Sequence, residues 1–138
     1  MSAALATRPK PRPFRLTHPV PLEDELHQSV ADALRYLLPA ETVWTTWEAR
    51  NAKSAVEGAR RKRLGLLPGW SDIGIFYRSR VVLIELKRSR YGQVSQAQRA
   101  LHARLEEAGF PVTICTSVED VLATVSRAGI PLRGRLAG

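Results

Sequence analysis

The sequence predicts an α/β domain: a mixed sheet flanked by helices, with the element order αβ(α)ββαβα. Two apolar runs, 72–77 and 81–87, flank a short polar turn at Arg78, Ser79 and Arg80, the pattern of a hairpin. Amphipathic helical patterns stand before and after that hairpin, and a further β-type run at 110–116 lies between the last two of them. The length of 138 residues suits one core, and no internal repeat is present.

Residues 1–21 hold five prolines, four cations and no acid, which predicts an extended, disordered basic arm. From Leu22 to Leu38, Leu26, Val30, Ala33, Leu34 and Leu37 follow helical spacing. Glu23, Asp24 and Glu25 crowd the first turn, where the helix dipole favours negative charge, and Pro39 ends the helix. Residues 42–49 read as a strand and 50–65 as a basic connection with a short helix near 55–64. In 81–87, Val81 and Leu83 point one way while Val82, Ile84 and Leu86 point the other, as in a central strand covered on both faces. Ser95 caps a helix running to Ala108, with Gly109 as its stop and Val94, Ala97, Leu101, Leu105 and Ala108 as its apolar stripe. After the strand at 110–116, Ser117 caps a last helix to residue 129, whose stripe is Val118, Val121, Leu122 and Val125. The folded domain is expected over 22–130, with a flexible tail at 131–138.

The net charge is +8 and the pI about 10.5. No apolar run is long enough for a membrane helix, and the N-terminus lacks the apolar core of a secretory signal. The lone Cys115 excludes an internal disulfide and fits a reducing compartment. With His18, His27 and His102 it makes no zinc constellation. The charge points to a polyanion. Of the 21 cations 17 are arginine, which suits bidentate phosphate contact, but GC-rich codons inflate arginine equally well.

A turn centred between Arg78 and Ser79 sets Asp72 opposite Glu85, with Cβ atoms about 4.5–5.5 Å apart. Glu85 and Lys87 share that face. Two close carboxylates repel unless a cation lies between them. Hard oxygen donors select Mg²⁺ or Mn²⁺, typically with water and substrate phosphate completing the shell. Lys87 beside such a site can hold an attacking water or neutralise charge on phosphorus. The set suits phosphodiester hydrolysis; an ion pair or solvated strand ends is the other reading. Gln98 borders the apolar stripe of the following helix, three residues before Leu101. Its amide can reach the same end of the sheet, or serve only as a boundary glutamine.

The ordered series GLLPGWSDIGIF, VVLIELKRSRYGQVSQAQ and FPVTICTSVEDVLATV resembles the VRR-NUC (virus-type replication-repair nuclease) family of the PD-(D/E)XK superfamily, over about residues 22–130. The resemblance implies a restriction-endonuclease-like αβββαβ core. It matches Asp72, Glu85 and Lys87 to the superfamily's D…E-x-K set and Gln98 to its helix glutamine. It implies a divalent metal, Mg²⁺ or Mn²⁺, held by Asp72, Glu85 and the Leu86 backbone carbonyl. An acid from the first helix is a further candidate ligand, Glu23 being the better match and Glu25 the second; either equally serves the helix dipole. Ser71 stands where the family has proline before the aspartate. The implied activity is metal-dependent cleavage of DNA, branched DNA and four-way junctions included, by a homodimer in the cytoplasm of a bacterium or of a phage-infected host.

Arg60, Arg61, Lys62, Arg63, Arg88 and Arg90 flank the proposed site and are the candidate backbone contacts. The hairpin-tip Arg78 and Arg80 should lie at the far end. If about six phosphates are neutralised, affinity should fall about a thousandfold from about 50 to about 200 mM salt. Nothing resembles a base-reading helix, so DNA structure is expected to matter more than DNA sequence. Trp44, Trp47 and Trp70 are expected to pack, with Trp70 placed to line the cleft. His102 is expected at the surface, and Cys115 as an inert core thiol.

Overall fold

The computed structural model describes residues 22–47, 53–89 and 94–136. Helix α1 (Leu22–Leu37) is followed by β1 (Val43–Thr46), α2 (Ala55–Arg63), β2 (Ile73–Tyr77), β3 (Arg80–Leu86), α3 (Gln96–Glu107), β4 (Val112–Cys115) and α4 (Val118–Arg127). The sheet order is β1-β2-β3-β4, antiparallel at the first two pairings and parallel at β3-β4. The predicted mixed sheet flanked by helices is the observed architecture. The basic arm expected at 1–21 lies outside the described residues.

The hairpin forms because Arg78 and Ser79 both take left-handed backbone, with φ of 41° and 66°. Two such residues make the turn whose twist matches paired strands. Tyr77 therefore pairs with Arg80 and Ile73 with Ile84. At the tip, Arg78 pairs with Glu41 at 3.3 Å and lies over the Tyr77 ring, while Arg80 packs beside Gly129.

One face of the sheet carries the main core. Val30, Leu34 and Leu38 of α1 and its end, with Val121 and Val125 of α4, close over Ile73, Ile75, Val82, Ile84, Leu86 and Cys115. The cysteine is fully buried, and burial pushes its thiol pKa up, which fits an inert thiol. The packed body extends past residue 130: Ile130 is buried, Leu132 packs on the core, and the Arg133 N–H donates to the Leu37 carbonyl at 2.8 Å. Residues 131–133, expected in a tail, thus lie against the body, because Leu132 has apolar surface to cover.

On the other face the backbone of α3, among the described elements, lies close to the edge strand β4 alone. A helix at the sheet edge buries a narrow strip, so Leu101 alone is buried. Of the predicted stripe, Val94 and Leu105 are half-buried, and Ala97 and Ala108 are exposed. Gly109, at φ 93°, ends α3, and the Phe110 N–H donates to the Leu105 carbonyl at 2.8 Å. This cap consumes Phe110, so β4 is shorter than the predicted 110–116. β1 likewise ends at Thr46, and part of its predicted range, 48–49, lies outside the described residues.

Candidate active site

The register carries one row of side chains across the sheet. Continuing the β2–β3 pairing by one residue beyond Ile73 and Ile84 puts Asp72 opposite Glu85. On the other flank the Trp47 N–H donates to the Asp72 carbonyl at 2.9 Å, so Trp47 neighbours Asp72 there. Glu85 stands against Ile114 in the parallel pair. Because Ile73 and Ile84 face the α1–α4 core, alternation turns Asp72 and Glu85 to the opposite face.

Asp72, Glu85 and Lys87 come to one end of the sheet as the register predicts, and of the two readings of Gln98 the structure has the one that reaches them. Asp72 Oδ2 accepts the Leu86 N–H at 2.7 Å. Glu85 Oε1 accepts from Gln98 Nε2 at 2.5 Å and from Lys87 Nζ at 3.3 Å. Lys87 Nζ also donates to Gln98 Oε1 at 3.2 Å. The Glu85 and Lys87 side chains are only 4% and 12% exposed, which removes most solvent screening. Gln98 is held by local sequence: its N–H donates to Ser95 Oγ at 3.1 Å, and its Oε1 accepts the Ser95 N–H at 3.0 Å. This reciprocal capping box fixes the glutamine at the mouth of α3.

Burial raises the pKa of both carboxyls. Glu85 is pushed up to about 7, by loss of water first and by the Asp72 charge second, against the opposing pull of Lys87. Asp72 is also raised by burial, opposed by the Leu86 N–H and then by His27 and Lys87. Glu85 Oε2 is buried with no hydrogen-bond partner. An orphaned carboxylate oxygen beside a second carboxylate fits a divalent cation. An extended residue directs its N–H and C=O to the same side, so the Leu86 carbonyl faces the gap where its N–H meets Asp72. Among the described residues, no three His, Cys, Asp or Glu side chains gather as a metal cluster. A cation here would therefore draw on two carboxylates, a carbonyl and solvent or substrate oxygen, the shell that Mg²⁺ accepts.

Three features escaped the sequence. His27, weighed there only as a zinc ligand, lies near enough to Asp72 for its charge to act on that carboxyl. Glu23, one turn earlier on α1, carries a side chain outside the described residues, while Glu25 is exposed. The second is Gly69, at φ 80°, where an added Cβ would come within 2.7 Å of the Ala97 and Gln98 backbone. The loop that delivers Asp72 is thus seated directly on the first turn of α3. The third is Trp47, whose ring covers Gly74 and meets Trp70 edge to face at 5.5 Å. Ser71, in the position of the family's proline, is fully buried and its hydroxyl has no partner.

The basic candidates fall in two stretches of the chain. Arg60, Arg61, Lys62 and Arg63 form the last turn of α2, a helix that buries no residue and, among the described residues, packs on no other element. Arg61 is paired to Glu57 at 2.8 Å. Arg88 is exposed just beyond Lys87, and Arg90 lies outside the described residues. His102 is half-buried with Nε2 unpartnered, and burial and the Lys87 charge lower its pKa, so it is no free surface histidine.

The mixed four-stranded sheet flanked by helices is a VRR-NUC-like fold. The chain superposes on a solved structure described as a VRR_NUC domain protein with a TM-score of 0.55 and 20% identity, covering 78% of this chain and 87% of that one. No protein-family model and no curated protein matches the chain. Among the described residues, no helix is long and apolar enough to cross a membrane.

Proposed function

We propose that the protein is a metal-dependent endonuclease that hydrolyses DNA phosphodiester bonds. The observation that carries this reading is the orphaned Glu85 Oε2 beside Asp72, with Lys87 and Gln98 locked to the same carboxylate. Asp72, Glu85 and the Leu86 carbonyl would hold Mg²⁺ or Mn²⁺, with Glu23 as a further ligand. When bound, the cation supplies charge stabilisation to a phosphoryl group and acidifies a coordinated water.

This chain's own groups do the rest. Lys87 Nζ, shared between Glu85 and Gln98, stands beside the carboxylate, where it orients the attacking water or offsets charge developing on phosphorus. Gln98 is the positioning residue for both. Arg60, Arg61, Lys62, Arg63, Arg88 and Arg90 engage the DNA backbone, and the net charge of +8 favours that encounter. Branched DNA as substrate, a homodimer that cuts two strands, and a cytoplasmic setting complete the reading. Exposed Val56, Leu64 and Leu66 on and after α2 supply apolar surface for pairing.

The test is incubation with linear, flapped and four-way-junction DNA in Mg²⁺, Mn²⁺ or EDTA. Cleavage with either metal and none in EDTA is expected, fastest on a branched substrate. Binding without cleavage in every metal would instead identify a non-catalytic DNA-binding module.

A further inference from the structure

We infer that Trp47 and Trp70 form a stacking site for an unpaired nucleobase beside the phosphate at Asp72, an inference that rests on the nuclease reading above. Trp47 is the cross-strand neighbour of Asp72, so their Cβ atoms are about 5 Å apart. Trp70 lies two residues before Asp72 in the same loop. Their rings meet at 5.5 Å and 89°, and the lack of a side chain at Gly74 lets the Trp47 ring lie against the sheet.

Both residues are half-buried rather than enclosed. Trp44, on the other face of β1, is different: it packs against the main core beneath Arg35. Two tryptophans therefore stand on the sheet face that carries the carboxylates, within one nucleotide's reach of them. A paired base has both faces covered by its neighbours in the duplex, whereas an unpaired base can stack on an indole. Stacking reads no base edge, so the site selects DNA by strand structure and not by sequence. Preference for a flap, a gap or an open junction arm then originates in these two side chains.

The test uses the full chain in EDTA and an oligonucleotide of about 12 nucleotides carrying 2-aminopurine, single-stranded or annealed. Single-stranded DNA should quench both the tryptophan and the 2-aminopurine emission. Trp70→Leu should weaken single-strand binding roughly tenfold and leave duplex binding within about twofold, whereas Trp70→Phe and the control Trp44→Phe should stay near wild type. In Mg²⁺ the ratio of flap to duplex cleavage should fall in Trp70→Leu. A folded Trp70→Leu protein with an unchanged ratio of single-strand to duplex affinity would overturn the inference. If that variant fails to fold, unquenched 2-aminopurine bound to the wild type overturns it instead. Quenching in EDTA with no cleavage in any metal would sink the nuclease reading and leave the stacking site standing.

Discussion

Gln98 Nε2 donates to Glu85 Oε1 at 2.5 Å while the Gln98 backbone is tied to Ser95 in a helix cap. One residue thus joins the end of β3 to the start of α3. Gln98→Ala should lower the cleavage rate roughly 10–100-fold, the usual loss for a partner outside the metal shell, and cost about 1 kcal/mol from the cap. Gln98→Glu keeps the cap but sets a third carboxylate against Glu85. It should melt near wild type in Mg²⁺ and cleave more slowly than Gln98→Ala. Melting and single-turnover rates measured together check both.

Gly69 is the second tie between the Asp72 loop and α3. At φ 80°, with the Ala97 carbonyl carbon 2.7 Å from an added Cβ, Gly69→Ala must move backbone on one side or the other. A loss of about 1–3 kcal/mol is expected, together with a cleavage defect from misplacing Asp72 against Gln98. Gly109→Ala, where the added Cβ meets nothing within 4 Å, should lose stability but not chemistry. Denaturant melts and rates on the same substrate separate the two.

The pKa of Glu85, raised from an ordinary 4.5 to about 7, makes metal-free stability fall with pH. The folded state holds this proton more tightly than the unfolded chain. The contribution is therefore fully present below about 4.5 and is lost as pH rises through about 7. Relative to Glu85→Gln, the wild type in EDTA should lose roughly 3 kcal/mol between pH 4.5 and pH 8. Asp72, also raised, acts in the same direction. Mn²⁺ should restore wild-type stability at pH 8 and leave Glu85→Gln nearly unmoved. A wild-type-minus-variant difference that is flat with pH would contradict the burial account.

The basic turn of α2 predicts a salt effect without a stability effect. Arg60, Lys62 and Arg63 are exposed and α2 packs on no other element among the described residues, so their joint replacement by alanine should leave the melting temperature unchanged. If all three meet phosphate, the slope of log affinity against log salt should fall by about 3. An unchanged slope in an EDTA titration would remove the cluster from the DNA path.

Much of this arrangement was legible in the sequence because hairpin register is set locally. The turn at Arg78 and Ser79 fixes which residues face each other some 20 Å of strand away, by roughly 3.3 Å per residue. That placed Asp72 against Glu85 with no tertiary information. Helix caps at Ser95 and Ser117 were local in the same sense. The extent of the α3 stripe was not legible, since how many rows a helix buries depends on whether it sits over a sheet or at its edge. Nor were His27 and Gly69, each of which acts through a contact with an element distant in sequence. Trp47 read as packing because nothing local distinguishes an indole on the core face from one on the carboxylate face until the β1 register is known.

The central claim is that Asp72 and Glu85 together hold the cation that makes DNA cleavage possible. The most direct measurement compares wild type with Asp72→Asn on a flapped DNA substrate in Mg²⁺, Mn²⁺ and EDTA, after melting has shown both proteins folded. Metal-dependent cleavage by the wild type, and a drop of at least about tenfold in the variant, which is about 1.4 kcal/mol of transition-state stabilisation, is the predicted result. Equal cleavage by Asp72→Asn, or undiminished wild-type cleavage in EDTA, would contradict it.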